Sequence, residues 1–312
     1  MNGAPDSPFQ GETAETEQGG KPLKTALVLE GGGIRGTYTA GVLDVFLEEG
    51  IAFPYVIGSS AGACNACSYL SGQKGRQYTI NTKYLDKRYA GFWQLMKNGS
   101  FMNMDYLFHT LPTELVPFDF DAFDQNHTTF YATATNCYTG MTEYFEKEGM
   151  DRFLTPVRAS SSLPLMTPMV VWKKAAYLDG GLTDPIPFQR ALEDGNDRVV
   201  AVLTRPQGYV KKKPDSFHAI KSVYKEFPQF VAAVKERPQV YNGQTAALTQ
   251  LEGQGKAFVL RPSESIQMGR VRAKPEQVEA LYQLGQKDAR DNLPALKQFL
   301  LRGDEASEEV TQ

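Results

Sequence analysis

The feature that most constrains this chain is a short apolar run, Thr25-Ala26-Leu27-Val28-Leu29-Glu30, stopped by three consecutive glycines at 31–33. A run of that length suits a buried strand, and the glycines suit a sharp turn. Ile34, Tyr38, Val42, Val45 and Phe46 then recur at helical spacing, and Gly50 stands where a helix C-cap is expected. The pattern repeats at once, with 53–58 as a strand and 60–70 as a helix. Further strands are expected at 129–136, 175–179, 198–204 and 257–262. Helical patterns lie near 75–90, 151–161, 216–235 and 275–300. Strands alternating with helices argue for an α/β layered fold, with a mostly parallel central sheet flanked by helices. The stretch 76–128 is harder to read and is expected to carry an insertion or a lid.

Composition narrows the functional classes. The chain has 312 residues, 41% of them hydrophobic, enough for a substantial core. Its formal net charge of −3 offers no global basic field for nucleic acid. No run approaches the roughly 18 apolar residues of a membrane span. The first residues lack a basic stretch followed by an apolar core, so the expected address is the cytoplasm, with peripheral contact at a membrane left open. The three cysteines, Cys64, Cys67 and Cys137, are too few for a disulfide framework. Residues 1–22 and 303–312 are polar and glycine- or acid-rich, and are expected to be flexible tails.

Gly31-Gly32-Gly33-Ile34-Arg35-Gly36 contains a literal G-x-G-x-x-G. A dinucleotide site would also need an acidic residue about 20 positions on, at the end of the second strand. That strand ends instead in Gly58-Ser59-Ser60, and the Lys-Ser/Thr ending of a phosphate-binding loop is missing too. What remains is a loop that turns several amides toward one point at a helix start, a cradle for negative charge.

Gly58-Ser59-Ser60-Ala61-Gly62 is G-x-S-x-G between a strand and a helix. In such an elbow the serine oxygen stands exposed at the strand's end, with the next amide, that of Ala61, facing the same space. A plain turn with a capping serine fits the motif alone. The neighbouring anion cradle favours Ser60 as a nucleophile, with Ser59 the alternative if the turn is shifted by one. A triad would need a histidine, and the chain has His109, His127 and His218. Only His218 follows the candidate acid, and it lies beside a lysine-rich loop. Asp179, in Tyr177-Leu178-Asp179-Gly180-Gly181, is the better partner: a strand delivers its carboxylate into a glycine turn.

Three motifs in this order, GGGIRG at 31–36, GSSAG at 58–62 and DGG at 179–181, resemble the patatin-like phospholipase family. A fourth stretch, RASSSLPLMTP at 158–168, is similar to the family's segment ahead of the aspartate. The resemblance covers about residues 24–205 and implies a serine acyl hydrolase that cleaves lipid esters without a cofactor. It implies Ser60 as nucleophile and Asp179 as base. By the same resemblance Gly31, Gly32, Gly33 and Arg35 would form the oxyanion loop, assisted by Ala61, with Gly58 and Gly62 shaping the elbow and Gly180 and Gly181 the aspartate turn. Thioesterase, transacylase or neutral-lipid lipase chemistry on the same site is the alternative. A catalytic domain is thus expected over 23–205, with 206–302 an α/β extension packed on it. One departure is the run Leu182-Thr183-Asp184-Pro185, where members of the family often carry asparagines.

Other features read as structural. Cys64-Asn65-Ala66-Cys67 is C-x-x-C without a second pair, and zinc wants about four ligands, so buried small residues are expected and no metal. Lys211-Lys212-Lys213 reads as a solvated run. The aromatic and basic mixture at Lys83, Tyr84, Lys87, Arg88, Tyr89, Phe92 and Trp93 fits either a packed helix or a lipid-facing surface.

Overall fold

The computed structural model describes residues 23–269, 271 and 273–301, so both expected tails lie outside the described residues. Its sheet runs β1 (Thr25–Leu29), β2 (Tyr55–Ser59), β3 (Thr129–Asn136), β4 (Thr142–Glu146), β5 (Val170–Trp172), β6 (Ala175–Asp179), β7 (Arg198–Val202) and β8 (Ala257–Leu260) in chain order. Hydrogen bonding links them along the path β5-β6-β3-β2-β1-β7-β8, with β4 also paired to β3. Strands β1, β2, β3, β7 and β8 are mutually parallel, and β4, β5 and β6 join through antiparallel pairings.

Every residue of β1, β2 and β7 is buried, as expected when helices cover both faces of a parallel sheet. Side chains alternate between those faces with period two. Leu27, Leu29, Val56, Val200 and Val202 meet α1 (Gly36–Glu48), α2 (Ala61–Leu70) and α10 (Pro275–Leu301). Ala26, Val28, Ile57, Val199 and Ala201 meet α7 (Phe188–Glu193) and α9 (Pro228–Gly253).

The expected elements are present, with instructive differences. The helix read at 75–90 stops early, as α3 (Arg76–Lys83). The one read at 216–235 divides into α8 (Phe217–Val223) and α9, because Pro228 starts a new helix. The obscure stretch 76–128 contains α3, α4 (Phe92–Asn98), a π-helix at Tyr106–Leu115 and α5 (Phe120–Gln125). Strands β4 and β5 escape the sequence reading because they are short, antiparallel and only partly buried. Ahead of β6 lies α6 (Thr155–Ser160). Beyond residue 205 the chain adds β8 beside β7 and lays α10 along α1.

One pairing detail positions the site. Strand β4 pairs with Tyr131–Thr135 of β3, overlapping both the β2 register (Thr129–Thr133) and the β6 register (Ala134–Asn136). Two strands cannot share the same hydrogen-bonding groups, so β4 takes one edge of β3 while β2 and β6 share the other. Strand β2 is parallel to β3 and β6 antiparallel, so their C-terminal ends meet tip to tip. Ser59 stands beside Thr133, and Asp179 beside Ala134.

Helices α1 and α10 approach so closely that a Cβ at Gly285 would overlap the carbonyl oxygen of Tyr38. Gly285→Val should therefore lower stability by about 1–3 kcal/mol through overpacking, read as a drop in denaturant midpoint.

Candidate functional site

Ser60 follows β2 and precedes α2 with φ 54° and ψ −122°, a positive φ that a residue with a side chain rarely adopts. The turn is tight because Gly62 presses against the Leu29 carbonyl, where any Cβ would overlap. The Ser60 amide donates to Ser160 Oγ at 2.8 Å. Its hydroxyl donates to Asp179 Oδ2 at 2.6 Å. The other oxygen of that carboxylate accepts the Gly181 amide at 2.9 Å. Asp179 is fixed further along its backbone: its amide donates to the Ser162 carbonyl at 2.7 Å, and its carbonyl accepts from Thr135 Oγ1 at 2.8 Å. Ser60 is 7% exposed and Asp179 1%. The structure thus brings Ser60 and Asp179 together. Ser59 instead ends the strand, its hydroxyl buried without a partner.

The glycine loop lies alongside and forms a wall between two cavities. Gly33, Gly36, Ser60 and Ala61 line one cavity. Gly31, Gly32, Arg35 and Thr204 line the other, together with Arg205 and Lys212. The Gly31 amide does not face a ligand, for it donates to the Pro185 carbonyl at 3.2 Å. Gly33 and Ala61 are thus the loop and elbow residues that line the Ser60 cavity, Ala61 being the first residue of α2. The Arg35 guanidinium donates to the carbonyls of Ile266 at 3.2 Å and Met268 at 2.7 Å, bracing the loop against that segment. Burial, then the nearby Arg205 charge, lowers the Arg35 pKa.

The Ser60 cavity shares Cys64, Gln77, Ile80 and Leu107 with a second, mainly apolar cavity walled by Phe108, Phe118, Phe120, Phe153, Leu154 and Val157. Much of this wall comes from 76–128, the stretch whose pattern was obscure. Arg76 crosses it with its pKa lowered to about 10 by burial, its guanidinium stacked 5.0 Å from the Phe118 ring centre. Cys64 and Cys67 belong to this wall too, and burial pushes both thiols up. Among the described residues no cluster of three or more metal-ligating side chains occurs.

No histidine lines either of these cavities. His109 stacks on Phe153 with ring centres 5.8 Å apart, and His127 and His218 are exposed. Four supporting residues escaped the sequence reading. Ser160 and Ser162 belong to the noted RASSSLP segment, whose spacing hints at them without assigning partners. Helix α9 buttresses the aspartate turn: Arg237 Nε donates to the Gly181 carbonyl at 2.6 Å, and Gln244 Nε2 to Asp184 Oδ1 at 2.6 Å. Nothing in the local pattern of α9 marks these two residues.

A family model described as patatin-like phospholipase matches residues 27–192. The chain belongs to the patatin-like phospholipase family. A second model, a domain of unknown function (DUF6363), matches 227–301. The chain is 32% identical over 193 residues to the uncharacterized protein YjjU of Escherichia coli K12, covering 60% of this chain and 53% of YjjU. It is 26% identical over 185 residues to lysophospholipase NTE1 of Meyerozyma guilliermondii, covering 56% of this chain and 12% of that protein. The chain thus spans about half of YjjU and a small part of NTE1. Among solved structures, VipD from Legionella pneumophila aligns with a TM-score of 0.46 at 13% identity, over 90% of this chain and 69% of that one. ExoU of Pseudomonas aeruginosa, in complex with SpcU, aligns with a TM-score of 0.41 at 14% identity, over 90% of this chain and 53% of that one.

Asp184 is 7% exposed, and burial raises its pKa against the pull of hydrogen bonds from Gln244 and Tyr144. A raised acid holds its proton longer in the folded chain than in the unfolded one. Stability contributed by this group therefore falls as pH rises from the ordinary value of 3.8 through the folded one. Asp184→Asn keeps an acceptor for Gln244 and removes the titration. Its Tm relative to the parent should climb across that window and then level off, as thermal melts at stepped pH would show.

Proposed function

We propose that this chain is a serine acyl hydrolase acting on lipid carboxylic esters, with Ser60 as nucleophile and Asp179 as its base. The observation that carries the reading is the 2.6 Å hydrogen bond from Ser60 to the Asp179 carboxylate at the wall of an apolar cavity. Family membership supports the lipid ester as substrate class. The name of the NTE1 relatives makes a lysophospholipid the first substrate to test.

Ser60 Oγ attacks the ester carbonyl carbon while its proton passes to Asp179. The carbonyl oxygen takes up negative charge, and the Gly33 and Ala61 amides offer it hydrogen bonds at the positive end of α2. Gly31 and Gly32 act as the wall that holds Gly33, with Arg35 as brace. Collapse of the tetrahedral centre breaks the bond to the alcohol oxygen, which leaves with the proton from Asp179. Water then gives a proton to Asp179 and attacks the acyl-Ser60 carbonyl. Collapse of the second tetrahedral centre breaks the bond to Ser60 Oγ, which takes back the proton from Asp179, and frees the fatty acid. A carboxylate is a weak base for an alcohol, so oriented amides carry much of the rate; one such donor is typically worth about 10²–10³. The acyl chain lies along the apolar walls, past Cys64, Ile80 and Leu107 toward Phe108 and Phe118.

Ser60→Ala and Asp179→Asn should each cut lysophospholipid hydrolysis by about 10³ or more with the Tm little changed. A fluorophosphonate should label the parent at Ser60. Hydrolysis at the parental rate by Asp179→Asn would refute the assignment of the base. Leu107 belongs to both cavities, so Leu107→Trp should narrow the passage. In an ester series of graded length, kcat/KM for long chains should fall about tenfold with short chains spared.

A further inference from the structure

Residues 91–101 leave the wall of the Ser60 cavity and return to it. Ala90 and Met102 form an isolated antiparallel bridge at the base. There the Gly91 amide donates to the Phe101 carbonyl at 2.9 Å, and the Asn103 amide to the Tyr89 carbonyl at 2.7 Å. Tyr89 and Met102, at the foot of this excursion, are buried and line the cavity that holds Ser60. Above them stands α4, in which no residue is buried.

The orientation of α4 reverses the usual rule for a helix on a protein surface. Its polar side is tied down: Gln94 Nε2 donates to the Lys87 carbonyl at 3.0 Å, and Asn98 Nδ2 to Gln94 Oε1 at 2.8 Å. Its apolar side faces outward, with Phe92 68%, Trp93 78% and Met96 69% exposed. These three lie within about 100° of one another around the helix, so they make one face. A contiguous apolar face of this kind marks an interaction site.

Charge selects the partner. Between residues 81 and 104 the chain carries four basic residues and one acid. That acid, Asp86, pairs with Arg88 at 2.9 Å. Lys83, Lys87 and Lys97 are exposed and form no ion pair among the described residues. A second copy docked by two-fold symmetry would set this basic patch against itself. Anionic headgroups complement it, while the apolar face reaches the acyl boundary beneath.

We propose that α4 seats the protein on an anionic lipid surface, with Phe92, Trp93 and Met96 inserted beside the cavity that holds Ser60. The inference rests on the lipid reading of that cavity and adds the surface from which the ester is drawn. Trp93 reports on it directly, because the chain has two tryptophans and Trp172→Phe leaves one. Vesicles of phosphatidylcholine and phosphatidylglycerol should shift Trp93 emission to the blue, with quenching by brominated acyl chains and weaker binding at high salt. The combined Phe92→Ser, Trp93→Ser and Met96→Ser variant should bind those vesicles about tenfold more weakly or worse. Its cleavage of a soluble short-chain ester should match the parent, which also shows that it folds. Unshifted Trp93 emission, or parental vesicle binding by the triple variant, would overturn the proposal. So would a parental dimer that the triple variant dissolves. Ser60→Ala protein should bind vesicles normally. Trp93 insertion without ester cleavage by the parent would count against the hydrolase reading alone, and the reverse against the membrane seat alone.

Discussion

The arrangement around Ser60 depends on one strand being longer than its neighbours. β3 has eight residues where β2 and β6 have five each, so one edge of β3 accommodates both in succession. A parallel strand and an antiparallel strand on the same edge point their C-terminal ends at each other. The hydrogen bond between Ser60 and Asp179 is the product of that junction. Side chains alternate along a strand, so a slip of one residue on either side would turn one of the two away. Register, set by the apolar faces of the sheet, therefore sets the site.

Two further segments hold the junction rigid. The α6 end and the serines after it reach both partners, through Ser160 to the Ser60 amide and through the Ser162 carbonyl to the Asp179 amide. Helix α9 closes the other side through Arg237 and Gln244 on the aspartate turn. Each bond satisfies a buried polar group, and an orphaned one typically costs about 1–3 kcal/mol. This bracing is what allows Ser60 to keep a backbone conformation that a free serine avoids.

The parallel strands and the principal helices were legible because burial on both faces writes itself as continuous apolar runs closed by glycine. The motif at 58–62 and the Asp-Gly-Gly turn were legible because tight turns demand glycine. Gly31 was assigned an amide for the oxyanion, but its hydrogen bond goes to Pro185; sequence carries no record of where a backbone N–H points. Arg237 and Gln244 were missed for a related reason: a single polar residue on a long helix looks the same whether it meets water or a distant turn. The stretch 76–128 resisted reading because its side chains line a cavity, where apolar residues follow the shape of the void rather than one periodic face. The partly buried β4 and β5 left no alternating signal at all.

The absence of imidazole from the Ser60 cavity has a consequence for its chemistry in solution. Among the described residues, the titratable groups that line that cavity are Cys64 and Tyr89, and burial pushes both upward. Histidine is the side chain whose ordinary titration falls between about pH 5 and 8. With none present, the lining gains or loses no proton across that interval. Neither the Cys64 thiol nor the Tyr89 phenol is therefore a group whose charge changes over the acidities a cell commonly presents.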